Sequence, residues 1–162
     1  GRLDVDVVHI GCGSSPLPEH MYDHGYKKIV NIDNAGVCIK QMAERNVGRP
    51  GLQWLEMDAL KMNFPDCSFD VAIDKSVLDT FACGDDAARL ITAYLREIQR
   101  VLRPGGFLLC VSYGAPTTRT EYFRMPGLHF HYKEVAIVPR DAADGTTHWA
   151  YVLQKRLSAD DE

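Results

Sequence analysis

Four short apolar runs recur through the first half of this chain, and each is cut off by a glycine or an aspartate. Residues 5–10 run into GCGSS, residues 28–32 stop at Asp33, residues 52–57 at Asp58 and residues 69–73 at Asp74. Runs this short and this apolar, rich in Val, Ile and Leu, suit strands buried on both faces. The stretches between them read as helices. Residues 35–46 align Ala35, Cys38, Ile39 and Met42 on one face, with Asn34 placed to cap them, and residues 16–24 form a shorter helix closed by Gly25. Strands alternating with helices build a parallel, doubly wound sheet, so the expected class is α/β.

The clearest helix covers residues 86–102, where Leu90, Ile91, Tyr94, Leu95, Ile98, Val101 and Leu102 recur at three- and four-residue spacing. Pro104, Gly105 and Gly106 stop it, and residues 107–112 are a fifth strand. Residues 117–124 read as a further helix. Residues 129–138 and 147–155 read as two strands joined by a DAADGTT turn. With a turn and no helix between them, these two form an antiparallel hairpin at one edge of a seven-stranded sheet. A length of 162 residues suits one domain, expected over residues 1–157, with 158–162 (SADDE) as an acidic tail.

The turn after the first strand lies where such sheets bind ligands, beyond the carboxyl ends of the strands. Gly11 and Gly13 permit a tight turn and let a ligand approach the backbone. GxG alone is as consistent with a plain strand-to-helix turn. Asp33, Asp58 and Asp74 add information because each ends a strand, and all three are expected to point into one crevice. An acid after the second strand is placed to accept from ribose hydroxyls. One after the third can accept from an adenine amine. The loop lacks the third glycine of a dinucleotide site and runs into Pro16, with no nearby cation for phosphate and no GKS or GKT. A nucleoside held without phosphate suits S-adenosyl-L-methionine.

The motifs VVHIGCGSS, NIDNA, EMDAL, FDVAIDKSVLD and RVLRPGGFLLCVS follow one another in this order. In them the chain resembles the class I S-adenosylmethionine-dependent methyltransferases over nearly its whole length, with their Rossmann-like fold. It is most similar to the methyltransferase-like group that includes lysine methyltransferases acting on elongation factor 1-alpha, and FPDCSFDVAIDKSVLDTF is the most specific stretch. The resemblance implies that Gly11, Cys12 and Gly13 line the methionine part of the cofactor. It puts Asp33 on the ribose with Asn34 beside it, and Asp58 on the adenine amine with Ala59 and Leu60 flanking the ring. It sets Asp74 and Lys75 near the sulfonium. Proteins of this group carry an aromatic-rich segment before the first strand; here that strand starts within five residues of Gly1, so the segment is expected to be missing.

Methyl transfer from a sulfonium is an in-line displacement that needs positioning, worth about 7–11 kcal/mol, and a neutral nucleophile. Asp74, Lys75 and Asp79 are the candidate catalytic residues, with Tyr113, His129 and His131 as further pocket or substrate-side candidates. The two histidines of HFH read as a structural or substrate-facing pair rather than as half of a metal site, since no Cys/His set accompanies them, and no metal is expected.

Composition narrows the partners. A net charge of −4 argues against general affinity for nucleic acid, while leaving room for a local basic patch. No apolar run approaches the ~18 residues of a membrane span. Five cysteines, none in a CxxC pair, read as reduced thiols in the cytoplasm. The expected activity is methylation of a protein lysine, with elongation factor 1-alpha as the implied partner. The alternatives are a small-molecule or RNA methyltransferase, or an inert cofactor-binding module that activates a partner.

Overall fold

The computed structural model describes residues 3–138 and 147–157. In chain order the elements are β1 (Asp6–Ile10), α1 (Leu17–Asp23), β2 (Lys28–Asp33), α2 (Gly36–Arg45), β3 (Leu52–Glu56) and β4 (Phe69–Lys75). Then come α3 (Val77–Ala82), α4 (Ala87–Val101), β5 (Leu102–Ser112), α5 (Pro116–Phe123), β6 (Phe130–Val138) and β7 (His148–Lys155). One seven-stranded sheet runs in the order β3-β2-β1-β4-β5-β7-β6. The pairs among β1 to β5 are parallel, and β7 runs antiparallel to both β5 and β6. Strand order reverses between β1 and β4, which opens the crevice at the carboxyl ends.

Alternation along β1 splits the core in two. Val7 faces Ile29, Leu52 and Ile73, with Leu17 and Met21 of α1 packed on them. Val8 and Ile10 face the larger layer, where α4 contributes Ile91, Tyr94, Leu95, Ile98 and Val101, all fully buried. Those five side chains account for the three- and four-residue spacing read from the sequence. They anchor the sheet against its longest helix.

Several expectations need correction in detail. Asn34 does not cap α2: the cap position is Ala35, and its amide donates to Asp33 Oδ1 at 2.9 Å. The helix α4 ends at Val101, before Pro104. The Pro-Gly-Gly segment instead lies within β5 as a bulge, since Phe69 pairs with Leu102 while Val71 pairs with Phe107. Gly105 there has φ +79°, a conformation that favours glycine. The six-residue α3 had not been assigned as an element. Most of the DAADGTT turn and the SADDE tail lie outside the described residues.

Candidate functional site

The carboxyl ends of β1 to β4 border a cleft of about 580 Å³. A hollow of similar size, about 560 Å³, lies at the opposite ends of the strands, lined by Asp6, Asp70 and Arg103. There Arg103 is already paired with both aspartates. Volume does not separate the two; chemistry does.

Of the turn after β1, Gly11 lines the first cleft, while Cys12 and Gly13 stand beside it and are not part of its lining. Gly11 and Gly13 hold φ of +60° and +49°. The Cys12 amide donates to the Ile32 carbonyl at 3.0 Å, and the Gly13 amide to Asp33 Oδ2 at 2.9 Å. A Cβ on Gly11 would clash with Val77 Cγ2, whereas one on Gly13 would meet nothing within 4 Å. Gly11 is therefore demanded by the crossing of α3, and Gly13 leaves free space beside the loop.

Asp33, half-buried, lines one wall with Asn34. Asp58, exposed, lines another with Met57, Ala59 and Leu60, and its Oδ1 accepts from the Leu60 amide at 2.8 Å. An ionised carboxylate offers about four acceptor sites. Asp33 uses two and Asp58 one, so each keeps acceptor capacity for a ligand. The third wall is Lys75, Ser76, Val77, Thr80 and Phe81. Met57 and, from α3, Val77, Thr80 and Phe81 line the cleft in addition to the residues read from the sequence. Their signal was the position of SVLDTF, directly after the fourth strand.

The third expected carboxylate does not point into the crevice. Asp74 is 1 % exposed, and its oxygens accept from the amides of Val77 (2.9 Å) and Leu78 (3.0 Å) and from the Tyr94 hydroxyl (2.9 Å). It caps α3 from below and stands behind the cleft wall. Burial pushes its pKa up to about 6, against these three bonds, which favour the charged form.

Asp79 is 2 % exposed and also faces away. It accepts from the Ser112 hydroxyl, the Tyr113 amide (3.1 Å) and Arg119 Nη2 (3.0 Å). The Arg119 Nε also donates to Ser112 Oγ at 3.0 Å. Of the three candidate catalytic residues, only Lys75 reaches the cleft.

Cys12 is buried beneath the loop, and burial, with Asp33 nearby, pushes its thiol up to about 12, so it stays protonated and unreactive. His9, one turn of strand earlier, is buried and held down to about 4 by burial, partly offset by its bond to Asn31. Tyr113 is exposed at the end of β5, 3.3 Å from Cys83 Sγ, and does not line the cleft. His129 and His131 lie at the start of β6, at the far end of the sheet, where Phe130 pairs with Lys155 and the Lys155 amine donates to the Leu102 carbonyl. They are not on the cleft side. Among the described residues no group of three metal-ligating side chains converges, and no helix is long and apolar enough to cross a membrane.

Comparison with known proteins agrees with this geometry. The family profile described as a methyltransferase domain matches residues 8–110. A human protein named eEF1A lysine and N-terminal methyltransferase is 47% identical over 109 residues, which span 65% of this chain and 16% of that protein. The chain thus matches under a fifth of that relative. The mouse EEF1A lysine methyltransferase 4 is 26% identical over 78% of this chain and 58% of its own length. Among solved structures, a SAM-dependent methyltransferase from Methanosarcina mazei shares the fold at TM-score 0.75 and 20% identity, covering 98% of this chain and 95% of its own. The N-methyltransferase NodS of Bradyrhizobium japonicum, solved with S-adenosyl-L-homocysteine, has TM-score 0.75 and 20% identity over 93% of this chain and 78% of its own.

Proposed function

We propose, given that this chain belongs to the methyltransferase domain family, that its cleft binds S-adenosyl-L-methionine and serves methyl transfer to an amine of a protein of the elongation factor 1-alpha type. The observation that carries the reading is the pair Asp33 and Asp58 flanking a glycine turn with free space beside Gly13. Two carboxylates disfavour a pyrophosphate and favour a nucleoside whose other end is cationic. Asp33 accepts from ribose hydroxyls, with Asn34 alongside. Asp58 accepts from the adenine amine, between Ala59 and Leu60. The backbone of Gly11, Cys12 and Gly13 faces the amino-acid part.

When bound, the cofactor supplies an electrophilic methyl on a sulfonium. The chain's own task is to shape the approach to it. Lys75, Thr80 and Phe81 form the wall on which an acceptor arrives, and α3 is held rigid by Asp74 and Asp79 behind it. A lysine amine, with pKa near ~10.4, must arrive neutral. Burial against that wall and a neighbouring positive charge both push its pKa down, so Asp74 and Asp79 act by positioning α3. Free thiols at Cys12, Cys38, Cys67, Cys83 and Cys110 accord with a cytoplasmic setting.

Calorimetry with S-adenosyl-L-homocysteine and with NAD tests the cleft: binding of the first alone is expected, and binding of NAD alone would overturn it. Incubation of lysate with tritiated S-adenosyl-L-methionine tests the acceptor. Label on a protein identified by peptide mass spectrometry as an elongation factor 1-alpha is the predicted result; label confined to small molecules or RNA would refute a protein substrate.

A further inference from the structure

The arginines of this acidic chain are mostly paired. Arg45, Arg49, Arg89, Arg100, Arg103 and Arg119 each contact a carboxylate. Arg124, at the end of α5, and Arg156, just after β7, have no carboxylate partner among the described residues, and both line one hollow of about 380 Å³. Arg156 continues into an adjoining hollow of about 230 Å³ with His131, Lys133 and Lys155. No acidic side chain lines either hollow among the described residues. The Arg156 Nε is buried and has no hydrogen-bond partner among the described residues. Lysine on an edge strand guards against unwanted pairing, which accounts for Lys133 on β6. It does not account for two arginines brought together from α5 and from the chain beyond β7.

We propose that this hollow, at the amino ends of the strands and remote from the methyl-transfer cleft, is a binding site for a phosphate-bearing ligand of nucleotide size. Arginine forks match phosphate oxygens in geometry as well as charge. Tyr132, 37 % exposed, is the open aromatic ring on the remaining wall, backed by the buried Phe123 and Phe130. A flat base stacked on one exposed aromatic ring and a phosphate on cationic side chains is the combination that nucleotide and single-strand sites use. The volume falls within the range of small-ligand pockets, ~300–1,000 Å³. A free nucleotide and the end of an RNA strand present the same chemistry.

The test is a titration of the whole chain with uridine monophosphate, uridine and a short oligouridylate, with S-adenosyl-L-homocysteine saturating so that the cleft is occupied. Uridine monophosphate is expected to bind at least ten-fold more tightly than uridine. Arg124→Gln combined with Arg156→Gln should reduce its affinity at least ten-fold while leaving S-adenosyl-L-homocysteine binding unchanged. That second readout also shows that the variant is folded, and Arg124→Gln alone, at an exposed helix end, should lose several-fold. Tighter binding of the oligouridylate would identify a strand as the source, and equal binding a free nucleotide. Equal affinity for uridine and its monophosphate, an unaffected double variant, or a preference for an oligoglutamate peptide would each overturn the proposal. Should S-adenosyl-L-homocysteine fail to bind at all, the same titration without it still decides this site, because the arginine variants are remote from the cleft.

Discussion

Ser76 is the N-cap residue of α3 and holds φ +73°, in the left-handed region. That conformation costs a side-chain-bearing residue about 1–2 kcal/mol, and a glycine there gives back about 0.4–1 kcal/mol through a freer unfolded chain. Ser76→Gly is therefore expected to raise stability by about 0.5–1 kcal/mol, measurable as a rise in Tm on the order of 2 °C. Asp33 makes a different demand, because it both ties down the glycine turn and faces the cleft. Asp33→Ala should weaken S-adenosyl-L-homocysteine binding by about 1.5–3 kcal/mol, the range for hydrogen bonds to a charged group; unchanged affinity by calorimetry would remove Asp33 from the site. His9 and Asp74 pull stability in opposite directions with pH. The folded chain keeps His9 neutral down to about 4, while the unfolded chain protonates near 6.5, so its contribution is present above 6.5 and lost as pH falls to 4. Asp74, raised to about 6 by burial, does the reverse: its contribution is largest below 3.8 and is lost as pH rises through 6. Urea titrations of His9→Gln against the parent should show that the variant loses less stability between pH 6.5 and 4, by about 3 kcal/mol.

At the scale of elements, α3 is the piece on which the cleft depends. It is short, yet two buried carboxylates hold it, Asp74 at its start and Asp79 in its body, the latter joined to Arg119 of α5 and to the end of β5. Removing the cation alone strands a buried charge, so Arg119→Met should cost about 3–5 kcal/mol in a denaturant melt, and more than Asp79→Asn combined with Arg119→Met. These links also explain what could be read from the sequence. The strands and α4 were legible because apolar runs and helical spacing report burial directly. The glycine turn with Asp33 and Asp58 was legible because strand ends fix where their next side chains lie. Asp74 was misread because its backbone position at the strand end was right while its side chain turned inward to cap α3. The six residues of α3 are too few to show a helical period, so nothing local announced the helix or the inward turn. Arg119 was missed because an arginine in a polar helix reads as exposed; only the fold brings Asp79 and Ser112 to it.

Across the whole molecule, charge is uneven. A chain of net charge −4 gathers Arg124, Lys133, Lys155 and Arg156 at one corner of its sheet, while Asp33 and Asp58 mark the other end. Total charge could not disclose this, since it depends on which segments the topology makes neighbours. The order β5-β7-β6 has its own consequence for how the chain is made. β7 follows β6 in the sequence yet lies inside it; it slots between two strands that leave the ribosome before it. Until β7 emerges, β6 has no partner and the flank of β5 stays unsatisfied, whereas β1 to β5 can already pair with one another. The end of the sheet that borders the cleft is thus complete in pairing before the sheet is closed, so a nascent chain has an interval in which that cleft is formed on a half-finished protein. A chain stopped before His148 should retain the parallel pairs but leave β6 and the flank of β5 open, and its sedimentation should reveal more association than that of the full chain.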